Sequence, residues 1–194
     1  MRCVSPAEAF DLLDLPDFSV SDEHRWYRRA LVLRTDIAVT QKRLDAGAPT
    51  GAWQLPYFAD AVSRWFPSET KRLLWIAHWQ ESTHHFGSSF VTAARRGLGE
   101  SRSIDEAPGH VFAPHPYAEL DQAELSVEHQ TEAGLLAGFL CQLIVSGSDG
   151  WLVADGCNDR FEIWEGNVIF YSANSEKIAE AKDIFKAFNC GKMT

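Results

Sequence analysis

Trp151-Leu152-Val153-Ala154, Phe161-Glu162-Ile163-Trp164 and Val168-Ile169-Phe170-Tyr171-Ser172 decide the fold. Each run is short and rich in β-branched and aromatic residues, which suit a pleated, half-buried surface. Asp155-Gly156-Cys157-Asn158-Asp159 separates the first two runs, and Glu165-Gly166-Asn167 separates the second from the third. Both spacers are turn-forming, so the three runs predict an antiparallel meander. Alternation puts Phe161, Ile163 and Glu165 on one side of the middle strand and Glu162 with Trp164 on the other. After Asn174 and Ser175, either of which can cap a helix, Ile178, Ala181, Ile184, Phe185 and Phe188 recur at helical spacing. A final helix over 176–188, stopped by Asn189 and Gly191, is expected to cover one face of the meander.

Working back from the meander, the chain reads as helical. A long central helix is expected over 126–145, where Leu135, Leu136, Phe139, Leu140, Leu143 and Ile144 are apolar almost all round. Gly134 and Gly138 inside it each cost about 1 kcal/mol relative to Ala, so close approach of a neighbouring element is expected there. A short helix carries Phe90, Ala93 and Ala94 and ends at Gly97 and Gly99, before a polar loop over 100–109 and a short strand over 110–113. Further back, Ser5-Pro6-Ala7-Glu8 is a capping box with Pro at the first helical position, predicting a helix over 6–13. Trp26, Ala30, Leu33, Ile37 and Leu44 recur at three, four or seven residues and predict a long helix over 21–45. Two more helices are expected over 57–66 and 69–80, the latter with Leu73, Ile76 and Ala77 as one stripe. The fold class is therefore α+β: a helical N-terminal half, a long central helix, and a C-terminal three-stranded antiparallel meander covered by a final helix. With 194 residues, 45% of them apolar, and no repeats or linkers, residues 1–194 form one domain.

The net charge of −9 is unevenly placed. Residues 1–97 hold 12 basic and 11 acidic side chains, whereas residues 98–194 hold 6 and 16. Within residues 99–176 only Arg102 and Arg160 oppose 14 carboxylates. Phosphate contacts need Lys and Arg, so this half is not a nucleic-acid surface, and an anionic membrane is disfavoured for the same reason. The N-terminus, Met1 to Pro6, lacks the apolar stretch of a signal peptide, and no window is long and apolar enough to span a membrane. Cys3, Cys141, Cys157 and Cys190 have no CxxC spacing, which fits buried thiols in a reducing compartment. A cytoplasmic protein is expected.

Motifs of chemistry are sparse. There is no GxxxxGK[ST], no GxGxxG after a strand and no GxSxG. His78, His84, His85, His110 and His115 match neither HExxH nor the spaced Cys/His sets of zinc sites. Asp155, Asn158 and Asp159 lack the ligand pattern of a calcium loop. No catalytic residue, metal or cofactor is assigned. The alternative is a small hydrolase or metal-assisted enzyme, in which His84, His85, Asp105, Glu106 and His110 converge in one pocket. A further alternative is a regulatory or scaffold domain.

The meander offers a binding surface instead. Asp149, Trp151, Asp155, Asp159, Glu162, Trp164 and Glu165 set aromatics among carboxylates, with Asp149, Asp155 and Asp159 expected at one end of the sheet. Rings supply buried area, and carboxylates supply steering and hydrogen bonds to Arg and Lys. The partner expected from this pattern is a protein with a basic surface.

One stretch carries a resemblance. Residues 75–112, ending Leu98-Gly99-Glu100-Ser101-Arg102-Ser103-Ile104-Asp105-Glu106-Ala107-Pro108-Gly109-His110-Val111-Phe112, resemble an uncharacterised bacterial family with a Trp-rich helix, a short Arg-bearing helix and an EAPGHxF motif. The pattern continues with the Leu-rich residues 136–146 and with Ser148-Asp149-Gly150, where Ser148 replaces an expected Trp. Proteins of this kind resemble toxin-immunity proteins, and the resemblance implies a cognate protein toxin as partner. In that reading Glu106, Pro108, Gly109 and His110 form a structural motif, with Glu106 accepting backbone N–H bonds, and recognition belongs to the acidic surface.

Overall fold

Leu73-Leu74-Trp75-Ile76-Ala77 is a β-strand, not part of a helix, and it lies inside a seven-stranded sheet. The computed structural model describes residues 1–16, 18–21, 30–34, 40–67, 69–70, 72–77, 89–102, 106–107, 109–112 and 127–191. Among them the strands are β1 (Arg2–Val4), β2 (Phe18–Ser21), β3 (Ala30–Leu33), β4 (Lys42–Gly47), β5 (Leu73–Ala77), β6 (Gly109–Phe112), β7 (Gly150–Ala154), β8 (Arg160–Trp164) and β9 (Asn167–Ser172). The helices are α1 (Pro6–Leu12), α2 (Leu55–Trp65), α3 (Ser89–Gly97), α4 (Val127–Ser146) and α5 (Ser175–Ala187). The large sheet runs β1-β6-β5-β7-β8-β9-β4 with every neighbour antiparallel, and β2 pairs with β3 in a separate ribbon.

This architecture corrects the expected one. The chain is α+β, but its N-terminal half contributes five strands, and β7-β8-β9 is the middle of a large sheet rather than a free-standing meander. The expected helix over 21–45 is replaced, where it is described, by β3 and β4. Leu44 packs against the main core and Ala46 lies within it, while Arg43 and Asp45 occupy the alternate positions, so a period of two prevails. The helix expected over 69–80 fails for a different reason. Leu73 and Trp75 face one core and Leu74 and Ile76 face the other, so β5 is apolar on both sides. A continuous apolar run of this kind has no period to separate it from a buried helix.

Three helices cover one face. Phe58, Ala59, Val62 and Trp65 of α2, Leu136, Phe139, Leu140 and Leu143 of α4, and Ala181 and Phe185 of α5 bury against Trp75, Phe112, Leu152, Phe161, Ile163, Val168 and Phe170. The opposite face of the β1, β6, β5 and β7 strands is covered by Ala9, Leu13, Leu15 and Phe18. Helix α1 starts as its sequence demands: Glu8 N–H donates to Ser5 Oγ at 3.2 Å and Ser5 N–H donates to Glu8 Oε2 at 2.7 Å.

Gly134 departs from expectation. A methyl group built there meets nothing within 4 Å, and the residue is exposed. Among the described residues no neighbour requires it, so Gly134→Ala is expected to stabilise the protein by about 0.5–1 kcal/mol, read as a rise in thermal midpoint.

Candidate functional site

The register of β7, β8 and β9 builds the surface residue by residue. Trp151 stands opposite Glu162, Glu162 opposite Ile169, and Ile169 opposite Asp45, all on one side of the sheet. In the next row on the same side Val153 faces Arg160, Arg160 faces Tyr171, and Tyr171 faces Arg43. Trp164 lies two residues beyond Glu162 on that side, diagonal to Trp151. Both indoles are half-buried, and Trp151 meets Phe18 edge-on with ring centroids 5.6 Å apart.

Asp149 and Glu165 complete this end. Asp149 Oδ1 accepts the backbone N–H of Glu165 at 2.9 Å. Glu165 and Gly166 form the two-residue turn between β8 and β9, with φ of 49° and 76°. Two successive positive φ values are those of a type I′ hairpin, so the Glu165 carboxylate is held at an exposed hairpin tip.

Asp155 and Asp159 are elsewhere. They follow β7 and precede β8, so the length of β7 separates them from Asp149, about 17 Å for five residues. The expectation of one acidic end is therefore corrected to two. Asp155 Oδ1 accepts the Asp14 N–H at 2.8 Å, and Gly156 N–H donates to the Asp14 carbonyl at 2.7 Å, which ties this turn to the chain after α1. Glu162 also departs from its expected role as an exposed acid. It is only 8% exposed, and its Oε2 accepts the Tyr171 hydroxyl at 2.6 Å. Burial, then the Glu162 carboxylate, push the Tyr171 phenol above its ordinary range, so it stays a donor. The Arg160 guanidinium stacks 4.2 Å from the Tyr171 ring centroid. Tyr171, Arg43 and Asp45 carry no signal in the sequence that marks them for this surface, and Arg160 stands out there only as one of two basic residues in an acidic segment.

The segment around the EAPGHxF motif is built into the interior. Arg95, on α3 and 4% exposed, donates from Nη1 to the Ala107 carbonyl at 2.9 Å and lies 3.1 Å from His110 Nε2. Its Nη2 donates to the Arg102 carbonyl at 3.0 Å. His110 is fully buried, with its ring centroid 4.8 Å from that of Phe139. Gly109 lies against Val4 and Leu74, where an added methyl would come within 2.8 Å of Val4 Cγ2. Glu106 is exposed at a turn. Pro108, His84, His85 and Asp105 lie outside the described residues. A histidine enclosed in this way does not reach solvent, which removes His110 from an open hydrolytic pocket.

Beside it, Arg102 joins three elements. It pairs with Glu100 Oε2 at 2.8 Å and Glu8 Oε2 at 2.7 Å, and donates to the Cys3 carbonyl at 2.9 Å. The Arg102 hydrogen bonds pull the Glu100 carboxyl from its ordinary value near 4.5 down to about 2. A depressed carboxyl stabilises the fold fully above pH 4.5 and loses that contribution as pH falls towards 2. Unfolding free energy is therefore expected to fall across that window, with a shallower slope in Glu100→Gln, measured by urea titration at stepped pH.

Burial pushes the Cys3 and Cys141 thiols up, and the Cys190 thiol up to about 11, so these three are not activated nucleophiles. Among the described residues no group of three or more His, Cys, Asp or Glu is placed to hold a metal ion, and no helix is long and apolar enough to cross a membrane. Comparison with family models, curated proteins and solved structures returns no match. None of these comparisons supports the resemblance carried by residues 75–112 and 136–150.

Proposed function

We propose that this chain is an acidic binding protein that acts by covering a basic surface on another protein, and that it is an immunity protein for a cognate bacterial toxin. The observation that carries the reading is the register that gathers Asp149, Trp151, Trp164 and Glu165 at one end of β7 and β8. Half-buried indoles bring contact area at little cost in side-chain freedom, because the sheet already fixes them. The Glu165 carboxylate at a rigid hairpin tip brings a charge-assisted hydrogen bond to Arg or Lys. Asp155 and Asp159 lie outside that contact and extend the negative field, which steers a cationic partner towards it. A toxin with a basic active-site surface fits this chemistry, and nucleic acid does not, since phosphate meets the same sign of charge. Neutralisation would take place in the cytoplasm of the producing cell.

Purified protein titrated with the product of the adjacent reading frame tests the proposal. The expected result is a complex at micromolar concentration or below in low salt, weakened by Trp164→Ala and by Glu165→Lys. Asp159→Lys, at the other end of β7, is expected to slow association while changing dissociation little. Absence of a complex in low salt overturns the reading.

A further inference from the structure

The side of the molecule formed by the N-terminal end of α2 and the exposed face of α4 has a different character. Trp53, in the short 3-10 turn Ala52–Gln54 before α2, is 74% exposed, and Tyr57 one turn on is 66% exposed. Val145 near the end of α4 is 68% exposed. Between them lies an open groove of about 240 Å³, lined by Ala52, Leu55, Pro56, Gly138, Cys141, Gln142 and Val145. No residue of that lining is charged, and none of residues 134–146 is charged. Large exposed aromatics beside an apolar groove mark a contact surface.

From this face we infer that a second copy of the chain is its occupant, in a two-fold symmetric dimer. Three features select a second copy. First, knob and hole sit side by side on one face: the groove exceeds the roughly 150 Å³ that accepts a benzene ring, and Trp53 projects at its rim. A two-fold axis through that face lets each copy's indole enter the other's groove, which is the self-complementarity an isologous contact requires. Second, the charge is right. Two chains of −9 repel, and a groove whose lining carries no charge is where they approach most closely before like charges meet within a Debye length of about 8 Å at physiological salt. A cationic partner finds no carboxylate to pair with in this groove. Third, covering the exposed parts of two aromatic side chains on each of two copies accounts for about 400–700 Å². Ala52, Pro56, Val145 and the glycine-bearing face of α4 then carry the contact towards the roughly 1,200 Å² at which stable interfaces begin. The thiol of Cys141 lies inside this contact and stays protonated there, because burial already raises it.

The dimer is independent of the acidic surface, and salt separates the two. A contact centred on uncharged grooves of like-charged chains holds or tightens as salt rises, whereas a charge-steered complex with a basic protein weakens. Sedimentation equilibrium on the full chain between about 1 and 100 µM, at low and at physiological salt, tests it. The expected result is a monomer–dimer equilibrium in that range, no weaker at the higher salt. Trp53→Glu is expected to raise the dimer dissociation constant by roughly 30-fold or more, as loss of an aromatic hot spot does. Both Trp53 and Val145 are exposed, so Trp53→Glu and Val145→Glu leave the core intact, which circular dichroism and the monomer's urea midpoint verify. A wild-type chain that stays monomeric to about 100 µM overturns the inference, as does a dimer that neither variant weakens.

Discussion

Arg95→Met is expected to destabilise the protein by about 2–6 kcal/mol. The guanidinium is buried on α3 and serves the Ala107 carbonyl, His110 Nε2 and the Arg102 carbonyl together. Ala107 and His110 are fully buried, so removing the fork strands at least two acceptors away from water. Each stranded group costs about 1–3 kcal/mol, which sets the range. Arg95→Lys keeps the charge and loses the planar fork, and is expected to recover only part of the loss. The adjacent Arg96 is exposed, and Arg96→Ala is expected to stay within about 0.5 kcal/mol of wild type. Urea denaturation of the three variants measures the contrast. Equal effects at 95 and 96 would show that the buried fork is not what ties α3 to the residues around β6.

Gly150→Ala is expected to cost about 3 kcal/mol or more. A methyl group at Gly150 comes within 2.5 Å of the Ile76 carbonyl oxygen and 2.5 Å of Trp75 Cζ2. Neither neighbour yields easily. The Ile76 carbonyl belongs to β5, an interior strand of the sheet, and Trp75 is fully buried, meeting Phe139 with ring centroids 6.5 Å apart. Overpacking of this kind typically costs 1–3 kcal/mol, and a backbone oxygen as the obstacle places it at or above the top of that range. The comparison is Gly134→Ala, the same chemical change where nothing stands within 4 Å, with the opposite sign expected. Thermal unfolding of both variants measures the pair.

Local signals in the sequence located the elements that carry them. The capping box of Ser5 and Glu8, the turn residues between β7, β8 and β9, and the amphipathic stripe of α5 each lie within a few neighbouring residues. Strands β4 and β5 lack such signals. Strand β5 is apolar on both faces and leaves no alternation to read, while β4 is an edge strand with Leu44 and Ala46 as its core-facing apolar residues. Isolated from its sheet, Lys42–Gly47 shows three charged residues and little β-propensity; pairing with β9 makes it a strand.

The candidate surface was legible in part for the same reason. Alternation along β8 placed Glu162 and Trp164 on one face, but burial of Glu162 under the Tyr171 hydroxyl depends on a cross-strand neighbour nine residues away. Asp149 and Asp155 look adjacent in sequence, yet a traversing strand carries them to opposite ends of the sheet. The Arg95–His110 contact joins α3 to β6 through packing, with no local spacing to mark it. Charge segregation was visible in composition, and the structure separates its parts: Glu100 is paired with Arg102, Glu162 is buried, and Glu165 stands free at a hairpin tip.

The most direct test of the binding reading is the association rate constant with the product of the adjacent reading frame, measured by stopped flow at about 20 and 200 mM salt. The expected result is rapid association that falls at least tenfold between the two salts and falls further in Glu165→Lys, as charge steering requires. An association rate unchanged by salt and by Glu165→Lys would contradict it.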